Sequence, residues 1–261
     1  MQGNRAGHEG GVTLSIVAPV YNEEANIEKV IRYWRGVLKK GRIIGEIVVT
    51  NDGSKDKSLE ILNRLKDEFD REDGHDVDSR VPLVVISLEK NGGYGMALSN
   101  SIRNSSGRYV LTIDSDGQFD AGEYRLLLER LEKDNLDLVT GYRKGKKDTV
   151  LKVFLDRVLN LILRVMFGLK LKDTNCALKL GKGELIRGIN IESKGYPTPT
   201  ELIIKSSVLN ASIGEVGVSH FDRKGGISKL KPFRTGVNML KFLVYLRLKI
   251  WLFKSNVISR I

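Results

Sequence analysis

Tyr109-Val110-Leu111-Thr112-Ile113-Asp114-Ser115-Asp116-Gly117-Gln118 is an apolar, β-branched run that ends in two carboxylates one residue apart. Alternate side chains of a strand share a face, so Asp114 and Asp116 can point the same way at its carboxyl end. Open α/β sheets bind ligands at that end. Oxygen ligands converging there suit a hard divalent cation, which in turn neutralises phosphate. A strand followed by an Asp-Gly turn accounts for the same residues without a metal.

The surrounding chain repeats a strand–helix rhythm. Residues 13–19, 46–51, 81–88, 108–114 and 136–142 read as strands. Residues 23–40, 57–69, 93–104 and 122–133 read as the helices between them, with Asn22 as N-cap of the first. The alternation predicts an α/β fold with a mostly parallel central sheet flanked by crossover helices. The acidic stretch 70–80 reads as a solvated surface loop. Further on, 150–167 is an apolar helix with one narrow polar stripe of Lys152, Asp156, Asn160 and Arg164. Residues 176–180 and 213–221 read as strands and 200–210 as a helix. The end, 237–253, is apolar and aromatic but interrupted by Lys241, Arg247 and Lys249. Tyr245, Trp251 and their cationic neighbours have the composition of an interfacial helix at a membrane surface, although a terminal helix packed on the core explains the segment too.

Composition narrows the function classes. The chain has 261 residues, 41% hydrophobic and 29% charged, enough for one large core. A single cysteine, Cys176, excludes an intramolecular disulfide and a multi-Cys zinc cage, and fits a reducing compartment. His8, His75 and His220 are far apart in sequence, which argues against a His-rich metal site. No apolar run reaches the roughly 20 uncharged residues of a membrane span. The polar, Gly-rich 1–11 has no h-region and reads as a disordered lead rather than a signal peptide.

The net charge of +11 is unevenly placed: from Arg223 to Ile261 there are ten basic residues and no acidic one. The second half therefore faces something anionic, whether phosphate groups, a lipid surface or nucleic acid. A nucleic-acid binder predicts aromatic-interleaved basic stripes or a reading helix. This chain instead concentrates carboxylates at strand ends, which argues against nucleic acid. Asn22-Glu23, Asp52-Gly53 and Asp114–Gln118 fall at the ends of successive strands and land on one rim of a parallel sheet. Gly93-Tyr94-Gly95 resembles part of a dinucleotide fingerprint, but Leu98 stands at the third glycine position; a tight turn or close backbone approach to a ligand explains these glycines better. Arg223-Lys224-Gly225-Gly226-Ile227-Ser228-Lys229 carries cations at both ends of a Gly-Gly loop, which suits it to close over phosphate.

Ala18-Pro19-Val20-Tyr21-Asn22-Glu23-Glu24, Asn51-Asp52-Gly53-Ser54, Asn91-Gly92-Gly93-Tyr94-Gly95 and Asp114-Ser115-Asp116 resemble the family 2 inverting glycosyltransferases of GT-A fold. Asp114–Gln118, Phe167-Gly168-Leu169, Asp173-Thr174-Asn175-Cys176 and Arg223 through Ser228-Lys229 resemble its polyprenyl-phosphate branch, which includes the dolichyl-phosphate mannose and glucose synthases. The resemblance spans about residues 12–250. It implies a GT-A domain over 12–230, followed by a basic, apolar tail over 231–261 whose amphipathic helices lie on a membrane surface.

By position, the resemblance implies that Pro19, Tyr21, Glu23 and Asp52 hold the nucleobase and ribose of a nucleotide sugar. Asp114, Ser115, Asp116 and Gln118 would meet its diphosphate, with Asp114, Asp116 and Gln118 holding Mg²⁺ or Mn²⁺. Asp116, Arg143, Arg157, Arg223 and Lys229 would form the catalytic set, the four cations binding the acceptor phosphate. Glu201 stands where the family often has an acidic residue opening a helix. Asn51 replaces the more usual first Asp of Asp-Asp-Gly-Ser, and Ser115 replaces a usual Ala. The implied activity is hexose transfer, with inversion, from GDP-mannose, UDP-glucose or UDP-N-acetylglucosamine to dolichyl or another polyprenyl phosphate at the cytoplasmic membrane face. The alternative is a family 2 enzyme acting on a glycan or protein hydroxyl, which would need a carboxylate base near the acceptor.

Overall fold

The computed structural model describes residues 13–74, 80–144, 150–222, 232–259 and 261, with 150–157 and 232–234 as main chain. The expected lead, 1–11, lies outside them. Seven strands form one sheet: β1 Leu14–Val20, β2 Gly45–Asn51, β3 Leu83–Ser87, β4 Tyr109–Thr112, β5 Leu138–Arg143, β6 Lys179–Lys182 and β7 Ile213–Val218, in the order β3-β2-β1-β4-β6-β5-β7. All run parallel except β6, which is antiparallel to both β4 and β5. The mostly parallel α/β sheet expected from the sequence is therefore present, and its order and one reversed strand make it GT-A-like.

Period-two alternation assigns the two faces. Ile16, Ala18 and Val20 of β1 join a core with Trp34, Leu38, Phe69 and Leu127 from α1 (Ile27–Gly41), α2 (Ser58–Asp73) and α4 (Tyr124–Lys133). Val17, Val48 and Val110 face the other way. They join Leu98, Ile102, Ile203, Leu243 and Leu246 from α3 (Tyr94–Arg103), α7 (Thr198–Val208) and α8 (Pro232–Lys254). Leu163 of α5 (Val150–Phe167) enters the same second core. A short helix α6, Gly183–Gly188, follows β6 and has no counterpart in the sequence reading.

Several local expectations change. Helix α1 starts at Ile27, not Glu23, and Asn22 is not its cap. Asn22 takes a left-handed φ of 54°, and its Oδ1 accepts from Lys55 N at 2.8 Å. The amides of Glu23 and Glu24 donate to Ser58 Oγ and Asp56 Oδ2 at 2.8 and 3.0 Å, so this segment is bonded to the neighbouring loop instead of winding into a helix. Residues 70–73, read as loop, are the last turn of α2, and Asp73 is buried. Two cations of α1 make that burial possible: Arg35 and Lys39 both pair with Asp73, Lys39 at 2.6 Å. The strand read over 213–221 ends at Val218, and the one read over 176–180 forms only over Lys179–Lys182, where the chain pairs with β4 and β5.

The carboxyl of Asp73 is held below its ordinary range: burial opposes the charge, but Lys39, the Val81 amide and Arg35 more than offset it. A depressed folded pKa means stability that is present above the unfolded value of about 3.9 and lost as pH falls through the folded one. Asp73→Ala is expected to cost about 2–4 kcal/mol at pH 7. Denaturant unfolding should show the difference from wild type shrinking as the pH falls below 4.

Candidate active site

The rim is assembled by register. Val20 of β1 lies opposite Asn51 of β2, and Val17 lies opposite Thr112 of β4, so the loops leaving these strands emerge side by side. Cross-links then tie the loops together. Asn22 N donates to Ser54 Oγ at 3.0 Å, and Lys57 N to Glu24 Oε2 at 3.0 Å. Ser115 Oγ donates to the Pro19 carbonyl at 2.8 Å, so Ser115 turns inward to hold the end of β1. Asn51 Nδ2 donates to Ser87 Oγ at 3.1 Å, a neutral link to β3.

Asp52 is 2% exposed and accepts from the Gly92 and Gly93 amides at 2.7 and 3.0 Å. Its carboxylate thus organises the glycine loop at the rim. Of the two explanations expected, the turn is present at Gly93, and the close backbone approach is made by the chain itself. A Cβ on Gly95 would overlap the Ser193 carbonyl oxygen, and one on Gly93 (φ 93°) would overlap that of Lys194. The close approach is to the chain's own 193–194 backbone, which covers the start of α3, where a dinucleotide phosphate would have to sit.

Asp114 and Asp116 follow β4 directly. Tyr94 Oη donates to Asp114 Oδ1 at 2.8 Å, and Asp116 Oδ1 accepts from Gln118 N at 3.0 Å. Burial first, then the neighbouring charge of Asp116, push the Asp114 carboxyl up to about 6. Burial and Asp114 together hold the Tyr94 phenol well above its usual pKa, so it stays a donor. The sequence reading missed Lys179. It lies in β6 opposite Thr112, on the sheet face shared with Asp114, and is 1% exposed. Its ammonium donates to the Thr174 and Cys176 carbonyls, and burial lowers its pKa to about 8. A lysine inside the run Cys176–Leu180 was the available signal, but only the insertion of β6 beside β4 brings it to the acidic pair.

Arg143, at the end of β5, is held by Asp173 in a two-pronged pair at 2.7 and 3.0 Å. Burial opposes its charge, and Asp173 more than offsets that. It is therefore a positioned, partly compensated cation. Gln118 Nε2 donates to the Phe221 carbonyl at 3.1 Å, and Phe221 N to the Gln118 carbonyl at 2.8 Å. The chain after β7 is thus bonded to the acidic loop two residues before Arg223. Arg223 and Lys229 lie outside the described residues, and of Arg157 only the main chain, in α5, is described. Pro19 is buried at the end of β1, Tyr21 half-buried beyond it, and Glu23 buried, with Oε2 accepting from Asn26 Nδ2 at 3.4 Å.

Among the described residues no cluster of three or more His, Cys, Asp and Glu could hold a metal. The donor set that does fit one is Asp114 with Asp116. Burial and, after it, the Asp116 charge raise the Asp114 pKa, and a divalent cation would relieve the repulsion between the two carboxylates. Mg²⁺ characteristically takes one or two carboxylates and completes its shell with substrate phosphate and water.

The comparisons agree with this architecture. Residues 15–186 match the family described as Glycosyl transferase family 2, and the chain belongs to that family. It is a glycosyltransferase. It is 27% identical over 90% of its length to the dodecaprenyl-phosphate galacturonate synthase of Rhizobium johnstonii, of which it covers 68%. It is 27% identical over 94% of its length to the dolichyl-phosphate beta-glucosyltransferase of Dictyostelium discoideum, of which it covers 78%. Against the undecaprenyl-phosphate 4-deoxy-4-formamido-L-arabinose transferase of Pseudomonas fluorescens it is 29% identical over 88% of its length, and it spans 64% of that protein. Its fold matches glucosyl-3-phosphoglycerate synthase from Mycobacterium tuberculosis, solved with Mn²⁺, UDP-glucose and phosphoglyceric acid. There the TM-score is 0.64 and the identity 22%, over 93% of this chain and 80% of that one.

Asp52→Asn would set an amide N–H₂ against one of the two glycine amides. It is expected to lower stability by about 1–3 kcal/mol in denaturant unfolding, because one buried donor loses its acceptor.

Proposed function

We propose that this protein transfers a hexose from a nucleotide sugar to a polyprenyl phosphate, with inversion, using Mg²⁺ or Mn²⁺ held by Asp114 and Asp116. The observation that carries the reading is the crowded Asp114–Asp116 pair on the open rim of the sheet, with the buried cation Lys179 on the same face. A bound divalent cation would supply charge neutralisation for the departing nucleoside diphosphate. Asp52 and the loop it organises would shape the nucleotide pocket with Pro19, Tyr21 and Glu23. Ser115 would act there by holding the end of β1. Gln118, its side-chain amide nitrogen bonded to the Phe221 carbonyl, would add its side-chain oxygen to the residues holding the cation.

The acceptor's chemistry explains the basic second half. A phosphate monoester is already an anion at neutral pH, so its oxygen attacks the anomeric carbon without giving up a proton to a base. Two phosphate-bearing substrates repel each other instead, and Arg143, Arg157, Arg223 and Lys229 would offset that repulsion. Glu201 is unsuited to serve as a base for a hydroxyl acceptor. It is fully buried, its two oxygens bonded to the Glu192 and Ser193 amides at 2.9 Å and its charge paired with Lys205 at 2.8 Å.

The lipid chain has a surface to meet. Helix α8 buries Met239, Leu243, Leu246 and Ile250 and exposes Val237, Leu240, Val244, Leu248 and Trp251 on its outer side. Helix α5 exposes Val158, Leu161 and Val165. Exposed apolar faces of this kind mark membrane or partner contacts, and the cations Lys241, Arg247 and Lys254 beside them suit an anionic bilayer. No helix among the described residues is long and apolar enough to cross a membrane. We read the contact as peripheral, at the cytoplasmic face.

The protein should be incubated with Mg²⁺ or Mn²⁺ and GDP-mannose, UDP-glucose or UDP-N-acetylglucosamine, with and without dolichyl phosphate. One donor is expected to yield an organic-soluble glycolipid, lost with EDTA. Asp116→Ala should lower its formation at least about 100-fold with an unchanged unfolding curve. Nucleotide-sugar turnover with no glycolipid from any donor would move the acceptor to a hydroxyl. Separately, vesicles containing anionic lipid should blue-shift the tryptophan emission through Trp251, and Trp251→Ala should remove most of that shift. Equal emission with and without vesicles would discard the peripheral contact.

A further inference from the structure

We propose that Glu201 is a positioning residue for the donor pocket, acting through the 192–194 backbone on the start of α3. This rests on the functional reading above. Glu201 touches neither Asp52 nor the acidic pair, yet each link between them is a direct contact. Glu201 Oε1 and Oε2 accept from the Glu192 and Ser193 amides, each at 2.9 Å. Those bonds set the orientation of the following peptides, whose Ser193 and Lys194 carbonyls abut Gly95 and Gly93 so closely that no Cβ fits between. Ser193 Oγ and Thr198 Oγ1 share a bond at 2.7 Å, and Thr198 Oγ1 donates to the Gly195 carbonyl at 2.7 Å, which closes the turn. On the other side of the contact, Gly92 and Gly93 donate to Asp52, and Tyr94 donates to Asp114. A shift of the 193–194 carbonyls would therefore loosen a nucleotide-facing carboxylate and a metal-facing one together.

A purely stabilising role for Glu201 makes a different prediction. Its partner Lys205 is also fully buried, and that ammonium donates to the Asn190 carbonyl at 2.5 Å and to Glu192 Oε1 at 2.6 Å. If Glu201 mattered only as half of an ion pair, removing Lys205 would be equivalent to removing Glu201. If it matters as the acceptor for two amides, the two changes separate. Lys205→Met leaves those amide bonds in place. Glu201→Gln keeps the shape but turns one acceptor into a donor facing an N–H. Glu201→Asp keeps the charge but withdraws both oxygens by one methylene.

The test uses the full chain and rests on two main readouts, with the KM for polyprenyl phosphate and the melting temperature as controls. The first is calorimetric binding of UDP-glucose, GDP-mannose and UDP-N-acetylglucosamine with Mn²⁺. The second is amide hydrogen exchange over 92–96 and 190–196 in the protein without nucleotide. Glu201→Gln is expected to weaken binding of the nucleotide sugar that wild type binds by about tenfold or more. It should speed exchange in both segments and leave the KM for polyprenyl phosphate unchanged. Lys205→Met should lower the melting temperature and speed exchange near 190–192, where its bonds to Asn190 and Glu192 are lost, while keeping donor affinity and the exchange over 92–96. Should Glu201→Gln not fold, Glu201→Asp is expected to show the same donor-specific loss. Wild-type donor affinity in a folded Glu201 variant would overturn the proposal, as would an equal donor loss in Lys205→Met. Wild-type protein that binds none of the three nucleotide sugars would overturn the functional reading first, and this inference with it.

Discussion

The parallel register of β1 with β2 and β4 is the constraint on which the site depends. Parallel neighbours finish at the same edge, so the loops after Val20, Asn51 and Thr112 must leave side by side. Crowded loops of this kind expose backbone donors that need partners. Here short side chains from neighbouring loops supply them: Asn22 meets Lys55, Ser54 meets Asn22, and Asp52 meets Gly92 and Gly93. The rim is a bonded surface on which Asp114 and Asp116 are presented.

Charge balance is the second organising theme. A half-buried carboxylate beside another carboxylate is costly unless cations or donors compensate it. The fold places Tyr94 directly on Asp114 and adds Lys179 from the one reversed strand. Arg143 is brought to the end of β5 but is steadied by Asp173. The same economy governs Asp73, where two cations of α1 permit a buried acid. In each case the partner comes from an element distant in sequence, which makes these charges reporters of the assembled fold.

The second face of the sheet connects that rim to an apolar exterior. Glu192 accepts from Tyr245 at 2.6 Å and from Lys249, so a residue next to the 193–194 contact also secures α8. Burial alone would raise the Glu192 pKa, but Lys205, Lys249 and Tyr245 hold it down at about 2. Helix α8 is apolar on both its inner and outer sides. Its inner side packs in the core, and its outer side is exposed.

Some of this was legible in the residues alone. Short apolar, β-branched runs mark β1, β2 and β4 because strand geometry is local, and the Asp114–Asp116 spacing is a property of one strand end. The motif residues lead to the right family because they sit in loops whose chemistry is set by a few adjacent side chains. What was not legible depends on partners far away in sequence. Asn22 looked like a helix cap until Lys55 claimed its oxygen. Asp73 looked solvated until Arg35 and Lys39 enclosed it. Gly93 and Gly95 suggested a tight turn or a close ligand, where it is the chain's own 193–194 backbone that presses. Lys179 stood out only as a lysine in an apolar run and Glu201 only as an acid opening a helix, and neither pattern names the partners they meet. The sequence determined which segments become strands and helices and which acids stand at their ends. Only the tertiary structure decided which charges meet, because burial and pairing energies belong to neighbours in space and not to neighbours along the chain.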